Sequence, residues 1–183
     1  MTIDTDRLLL RPYSNNDSPA VHAYASEPVV AQYMLWGPNS DEETHVFLRT
    51  VQEGAQEEPR TKFDFAIELK DERKMIGGCG IYLKGSELLS GELGYVLNLV
   101  YHRRGIMPEA VHALIGFGFD SLGLHRIFAR TIQTTGRPPG SWRSAECNMR
   151  AGSANLRGLR AYGGTISTTA FWSKNGAMVP PRY

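Results

Sequence analysis

The chain has 183 residues, 42% of them hydrophobic and 21% charged, which suits one domain with a sizeable buried core. Its net charge of +1 gives no case for nucleic acid or an anionic membrane as a partner, and no apolar run approaches the roughly 18 residues of a bilayer span. The acidic, polar start is no secretory signal, and Cys79 and Cys147 form neither a disulfide framework nor a zinc pattern; a cytoplasmic location is expected.

Residues 7–11 read as a first strand. Asn15, Asn16, Asp17 and Ser18 precede Pro19 as cap candidates for a helix whose buried face would carry Val21, Tyr24, Ala25 and Val29. Trp36, Gly37 and Pro38 make a turn, and residues 39–43 open a second helix carrying Val46, Phe47 and Val51. Residues 63–69 alternate as a strand, residues 71–74 are a charged hairpin turn, and residues 75–83 form the next strand. Gly77, Gly78 and Gly80 in that strand predict close approach by another backbone. A further strand covers residues 90–99, a helix residues 108–122, and a last strand residues 125–133. Strands followed by a helix between two more strands predict a mixed α+β sheet.

The segment Tyr101-His-Arg-Arg-Gly-Ile-Met-Pro-Glu-Ala110 carries the most chemistry. It joins a strand to a helix through a basic, glycine-centred turn. The first N–H groups of a helix lack internal partners and lie at the positive end of its dipole, so such a turn suits a pyrophosphate.

The turn resembles the acetyl-CoA loop of the GNAT acetyltransferases, Q/R-x-x-G-x-G/A, with His102, Arg103, Arg104, Gly105, Ile106 and Met107 in its six positions. His102 and Met107 depart from that pattern. The segments Asp6-Arg-Leu-Leu-Leu-Arg-Pro12, Tyr33-Met-Leu-Trp-Gly-Pro38, Ile76-Gly-Gly-Cys-Gly-Ile81, Gly91-Glu-Leu-Gly-Tyr95 and Leu122-Gly-Leu-His-Arg-Ile127 follow in the order of the RimJ/RimL branch. The resemblance covers about residues 4–133. It implies the GNAT fold, a mostly antiparallel sheet with splayed central strands flanked by helices. It also implies acetyl-CoA as co-substrate, no metal, and a primary amine as acceptor, either a protein N-terminus or a small amine. The protein would be a monomer or homodimer.

On this resemblance the strand of residues 92–100 pairs with the pantetheine arm near Leu97, Asn98 and Leu99, where a backbone N–H could stabilise the oxyanion. Glu92 is the candidate general base, directly or through water. The alternative for Glu92 is a structurally paired carboxylate, and for Arg103 and Arg104 a solvated loop. Glu109 reads as a capping or pairing residue, Tyr95 as a cleft or core ring, Cys79 as buried and inert, and Trp36 and Phe47 as pocket or core. His125 and Arg126 read as strand-edge residues; His22, His45 and His112 read as solvent-facing or packing. Ser141 lies near the place where such a family keeps a general acid.

The resemblance stops where the composition changes. Residues 1–135 carry 13 Lys+Arg against 18 Asp+Glu, and residues 136–183 carry 7 against 1. Codons compatible with residues 140–147, read one base earlier, spell V-L-E-K-C-G-M. The same shift over residues 163–176 spells W-H-H-F-D-D-C-V-L-E-Q-E-W. Both resemble the text of the family at that place, which points to a tail read out of frame. A divergent natural C-terminus and a disordered basic tail are the alternatives. A non-catalytic acyl-CoA-binding domain is the rival to the enzyme.

Overall fold

In a computed structural model of the chain, the residues described are 1–32, 34–85 and 88–129, together with three short strands further on. Strand β1 (Ile3–Asp4) folds back antiparallel onto β2 (Leu8–Arg11). A short 3-10 turn (Asn15–Asp17) leads into α1 (Ser18–Ala25), followed by α2 (Pro28–Ala31) and α3 (Asp41–Gly54). Then come β3 (Lys62–Leu69), β4 (Lys74–Lys84) and β5 (Ser90–Leu97), a second 3-10 turn (Leu99–Tyr101), α4 (Ile106–Asp120) and β6 (Arg126–Ala129). The strands beyond are β7 (Met149–Arg150), β8 (Ser153–Ala154) and β9 (Ala170–Ser173).

The main sheet has the order β1-β2-β3-β4-β5-β6-β9. Its pairs are antiparallel except β5 with β6, where residues Ser90 to Leu93 lie opposite Arg126 to Ala129. That parallel pair follows from α4, which carries the chain back across the sheet. Strand alternation splits the side chains between two faces. Phe63, Phe65, Ile67, Ile81, Leu93 and Leu97 join Ala110, Val111, Leu114, Ile115 and Phe117 of α4 in the larger core. Val21, Tyr24, Ala25 and Leu48 of α1 and α3 form a smaller cluster, against which Tyr13, Phe47, Met75 and Val96 pack.

Several expected boundaries move. The strand predicted to reach residue 99 ends at Leu97, because Asn98 turns the chain: its side-chain carbonyl accepts the Val100 N–H at 3.2 Å. The helix predicted from residue 108 starts at Ile106, since Pro108 falls within the first turn, where a missing N–H costs nothing. Asp17, one of the expected cap candidates, is the N-cap of α1, and Ser14 caps the 3-10 turn before it, its N–H and hydroxyl meeting the Asp17 carboxylate at 2.7 and 3.0 Å. Val29 leaves the predicted buried face and is 53% exposed, because Pro28 begins a new helix. Val46 is also exposed; Thr44 and Leu48 carry the buried side of α3. Ser40 and Glu43 cap that helix reciprocally.

The close approach predicted at the β4 glycines holds for Gly77, where a Cβ would collide with the backbone of Val96 and Leu97. Gly78 instead makes room for the Tyr13 side chain, and Gly80 for those of Asp64 and Tyr82 together with the Phe63 carbonyl at 3.1 Å. Cys79 is buried, and burial pushes its thiol well above the ordinary range, so it is inert as expected. Residues 130–133, the end of the last predicted strand, lie outside the described residues. So do Ser141 and the shifted-frame segments, apart from the backbone of β7, β8 and β9.

Candidate active site

Strand β5, the turn after it and the start of α4 bring the predicted residues together. The turn takes two left-handed residues, Arg103 at φ 63° and Gly105 at φ 72°. Left-handed geometry is costly for a residue with a Cβ, roughly 1–2 kcal/mol, and nearly free for glycine. Gly105 is the N-cap of α4, and its left-handed geometry before the right-handed helix turns successive N–H groups into one concavity. The Arg104 guanidinium lies 5.1 Å over the ring of Tyr101, whose hydroxyl donates to Glu72 at 2.7 Å. A helix N-terminus, a left-handed glycine and two arginines form a donor set that fits a pyrophosphate.

Ile106 and Met107 are the first two residues of α4. Ile106 is buried and Met107 packs against the main core, so neither side chain is spent on the concavity. The His102 ring turns back onto the end of β5. Its Nε2 lies 3.0 Å from the Leu97 carbonyl, and a carbonyl only accepts, so this nitrogen carries the proton.

The three residues expected at the strand end divide. The Asn98 N–H donates to the Ile76 carbonyl at 2.9 Å, so Asn98 faces β4 and its N–H is engaged. Leu97 opposite Gly77 is therefore a non-hydrogen-bonded pair, and the Leu97 N–H and C=O point to the other side, toward β6. Among the described residues, β6 covers that side only from Ser90 to Leu93. Leu99 lies in the 3-10 turn and is 38% exposed.

Glu92 sits five residues before Leu97, about 16 Å along the strand. It stands opposite Tyr82, on the sheet face away from α4, with the Lys84 Nζ 3.4 Å from its Oε2. The Tyr82 hydroxyl donates to Asp64 at 2.7 Å. Burial pushes the Asp64 carboxyl up, against the opposing pull of that hydrogen bond, and pushes the Tyr82 phenol up as well. Asp64 and Tyr82 were not singled out from the sequence. Their signal is the alternation of residues 63–69 and 75–83, which places both on the Glu92 face once the hairpin register is known.

The remaining candidates take ordinary places. Glu109 pairs, as expected, here with Arg7. Tyr95 packs partly buried against the main core. Phe47 makes an edge contact with Tyr13 at 5.4 Å, and Trp36 is 38% exposed. His22 and His45 bond to Thr44 and Ser18, while His112, His125 and Arg126 are exposed. No described helix is long and apolar enough to cross a membrane.

This strand, turn and helix lie within a stretch, residues 7–134, that matches the family model of the acetyltransferase (GNAT) domain. The chain belongs to the GNAT acetyltransferase family. It is 32% identical over 130 residues to the uncharacterized N-acetyltransferase p20 of Bacillus licheniformis, a match covering 70% of this chain and 72% of that one. The crystal structure of a GNAT-family acetyltransferase from Bacillus anthracis superposes with a TM-score of 0.62 at 30% identity, covering 71% of this chain and 73% of the other. The fold is also that of RimL, the ribosomal L7/L12 alpha-N-protein acetyltransferase solved with coenzyme A, at TM-score 0.61 and 20% identity over 74% of this chain and 77% of the other. The chain is thus an acetyltransferase, of a family that moves acyl groups from acetyl-CoA to amines.

Proposed function

We propose that this GNAT enzyme acetylates a primary amine, a protein N-terminus or a small amine, by direct attack within a ternary complex. The observation that carries the reading is the left-handed Gly105 at the head of α4, flanked by Arg103 and Arg104. There Arg103, Arg104, Gly105, Ile106 and Met107 hold the pyrophosphate of acetyl-CoA, mainly through backbone N–H groups. The arm then runs back along β5 toward Glu92, past the Leu97 N–H, which faces the β6 side and serves as oxyanion donor. Glu92, about 16 Å along β5 from Leu97, takes the proton from the ammonium through a chain of waters. The neutral nitrogen attacks the thioester carbon to form a tetrahedral intermediate; its collapse breaks the C–S bond, and the proton shed by the nitrogen passes to the departing thiolate, leaving the amide and the CoA thiol. A protein N-terminus is favoured by the likeness to an alpha-N-protein acetyltransferase.

A second reading rests on the family match ending at residue 134, beside the change in charge. On that reading the chain binds acyl-CoA without transfer, and residues 134–183 are read one base out of frame. Thiol release from acetyl-CoA across a panel of N-terminal peptides and small amines separates the two. Turnover on any acceptor supports the enzyme; binding without turnover on all of them supports the rival. Sequencing the gene between the codons for Thr131 and Gly140 tests the frame, and an intact frame there removes that explanation.

A further inference from the structure

Arg7 reaches from the start of β2 to the back of the glycine turn, nearly a hundred residues away in sequence. Its Nη1 donates to the Arg104 carbonyl at 2.9 Å and its Nη2 to the Gly105 carbonyl at 3.0 Å. Its Nε donates to Glu109 Oε2 at 2.7 Å. Glu109 stands in the first turn of α4, and its Oε1 accepts from the Arg7 backbone N–H at 2.9 Å and the Thr5 hydroxyl at 2.6 Å. Every Arg7 donor named here points at the turn or at Glu109, which anchors it.

The consequence follows from peptide geometry. In a trans peptide the C=O of one residue and the N–H of the next point in opposite directions. Drawing the Arg104 and Gly105 carbonyls toward Arg7 therefore aims the Gly105 and Ile106 N–H groups away from it, to the far side of the turn. Lysine could not do this, because only the planar guanidinium spans two carbonyls and a carboxylate together.

We infer that Arg7, anchored by Glu109 and Thr5, is a positioning residue that presets the pyrophosphate-binding N–H groups from behind the turn. The inference rests on reading that turn as the acetyl-CoA site. Arg7→Met removes the grip while keeping much of the side-chain bulk. The test measures the dissociation constants of acetyl-CoA and of acetyl-pantetheine, which lacks the pyrophosphate, for the full 183-residue chain and its variants. Arg7→Met should weaken acetyl-CoA by about tenfold or more, the scale of one charge-assisted hydrogen bond, and leave acetyl-pantetheine within about twofold. Glu109→Gln should weaken acetyl-CoA in the same sense, and the double variant should lose little beyond Arg7→Met alone, because the two act as one unit.

Equal losses for both ligands, or none for either, would overturn the positioning role and leave Arg7 a structural residue. Gly105→Ala, which makes the left-handed N-cap of the turn costly, checks the underlying reading. If it leaves the preference for acetyl-CoA over acetyl-pantetheine unchanged, the turn is not the pyrophosphate site. If it erases the preference and Arg7→Met does not, only the grip is overturned. Should Arg7→Met fail to fold, Arg7→Lys and Thr5→Val carry the same comparison, both with a reduced preference expected.

Discussion

On the proposed function, the two ends of β5 build their chemistry from different materials. At the C-terminal end the concavity comes from backbone: a left-handed glycine, the first N–H groups of α4 and the carbonyls gripped by Arg7. At the N-terminal end it comes from side chains: Glu92 beside Lys84 and Tyr82, with Asp64 behind. A backbone site asks for conformation and tolerates changes of side chain, so Met107 can stand where the family pattern has glycine or alanine. A side-chain site depends on identity and leaves no such latitude. The difference also explains why the motif keeps its glycine at position 105 while its other two fixed positions, His102 and Met107, depart.

The sharpest way to break the comparison is at the side-chain end. Glu92→Gln should lower kcat by about a hundredfold or more, the usual range for a lost general base, with acetyl-CoA affinity little changed. Steady-state kinetics with direct measurement of acetyl-CoA binding checks both halves; unchanged kcat would return Glu92 to a structural pairing with Lys84.

At the backbone end, Gly105→Ala should weaken acetyl-CoA by roughly tenfold, because a Cβ makes the left-handed N-cap costly by about 1–2 kcal/mol. The nearest atom to that Cβ is Nη2 of Arg7 at an ordinary 3.5 Å, so strain rather than collision sets the effect. Calorimetric titration reads it directly.

Away from both ends, Arg11 bonds Asp17 through two nitrogens at 2.7 and 2.8 Å and Glu68 through Nε at 2.6 Å, tying β2 to β3 and to the start of α1. Burial pushes the Asp17 carboxyl up, but the Arg11 guanidinium and the Ser14 N–H outweigh it and hold the group below the ordinary range. A depressed carboxyl stabilises the fold above its unfolded pKa of about 3.9, and that contribution drains away as pH falls from there through the folded value. Asp17→Asn should cost roughly 2–3 kcal/mol at neutral pH and flatten the stability loss below about pH 4. Denaturant unfolding at two pH values tests it, and an equal loss at both would contradict the assignment.

The smallest effect sharpens the comparison most. Met107→Ala should leave acetyl-CoA affinity within about threefold, since only its N–H faces the anion, while lowering stability through lost packing.

Local patterns explain what was legible. Alternation around Phe63 and Phe65 set β3, the charged run at residues 71–74 set the hairpin, and the apolar face of residues 111–118 set α4. The glycine turn was visible because strand, basic turn and helix are adjacent in sequence. Arg7 was not, because its partners lie 97 to 102 residues away and a long-range pair leaves no period to read. The end of β5 was missed because Asn98 redirects the chain through a side-chain bond that apolar neighbours conceal. That Asp64, Tyr82 and Glu92 share one face required a register across three strands.

Thermal unfolding of the purified 183-residue chain with excess acetyl-CoA, and with ATP as the phosphate control, tests the central claim that strand, turn and helix form a CoA site. At a hundredfold excess over its dissociation constant, acetyl-CoA should stabilise the fold by about 2.7 kcal/mol, with a clear rise in midpoint that ATP does not reproduce. An unmoved midpoint, or an equal shift with both ligands, would contradict the assignment of the Arg103–Gly105 turn as a CoA site.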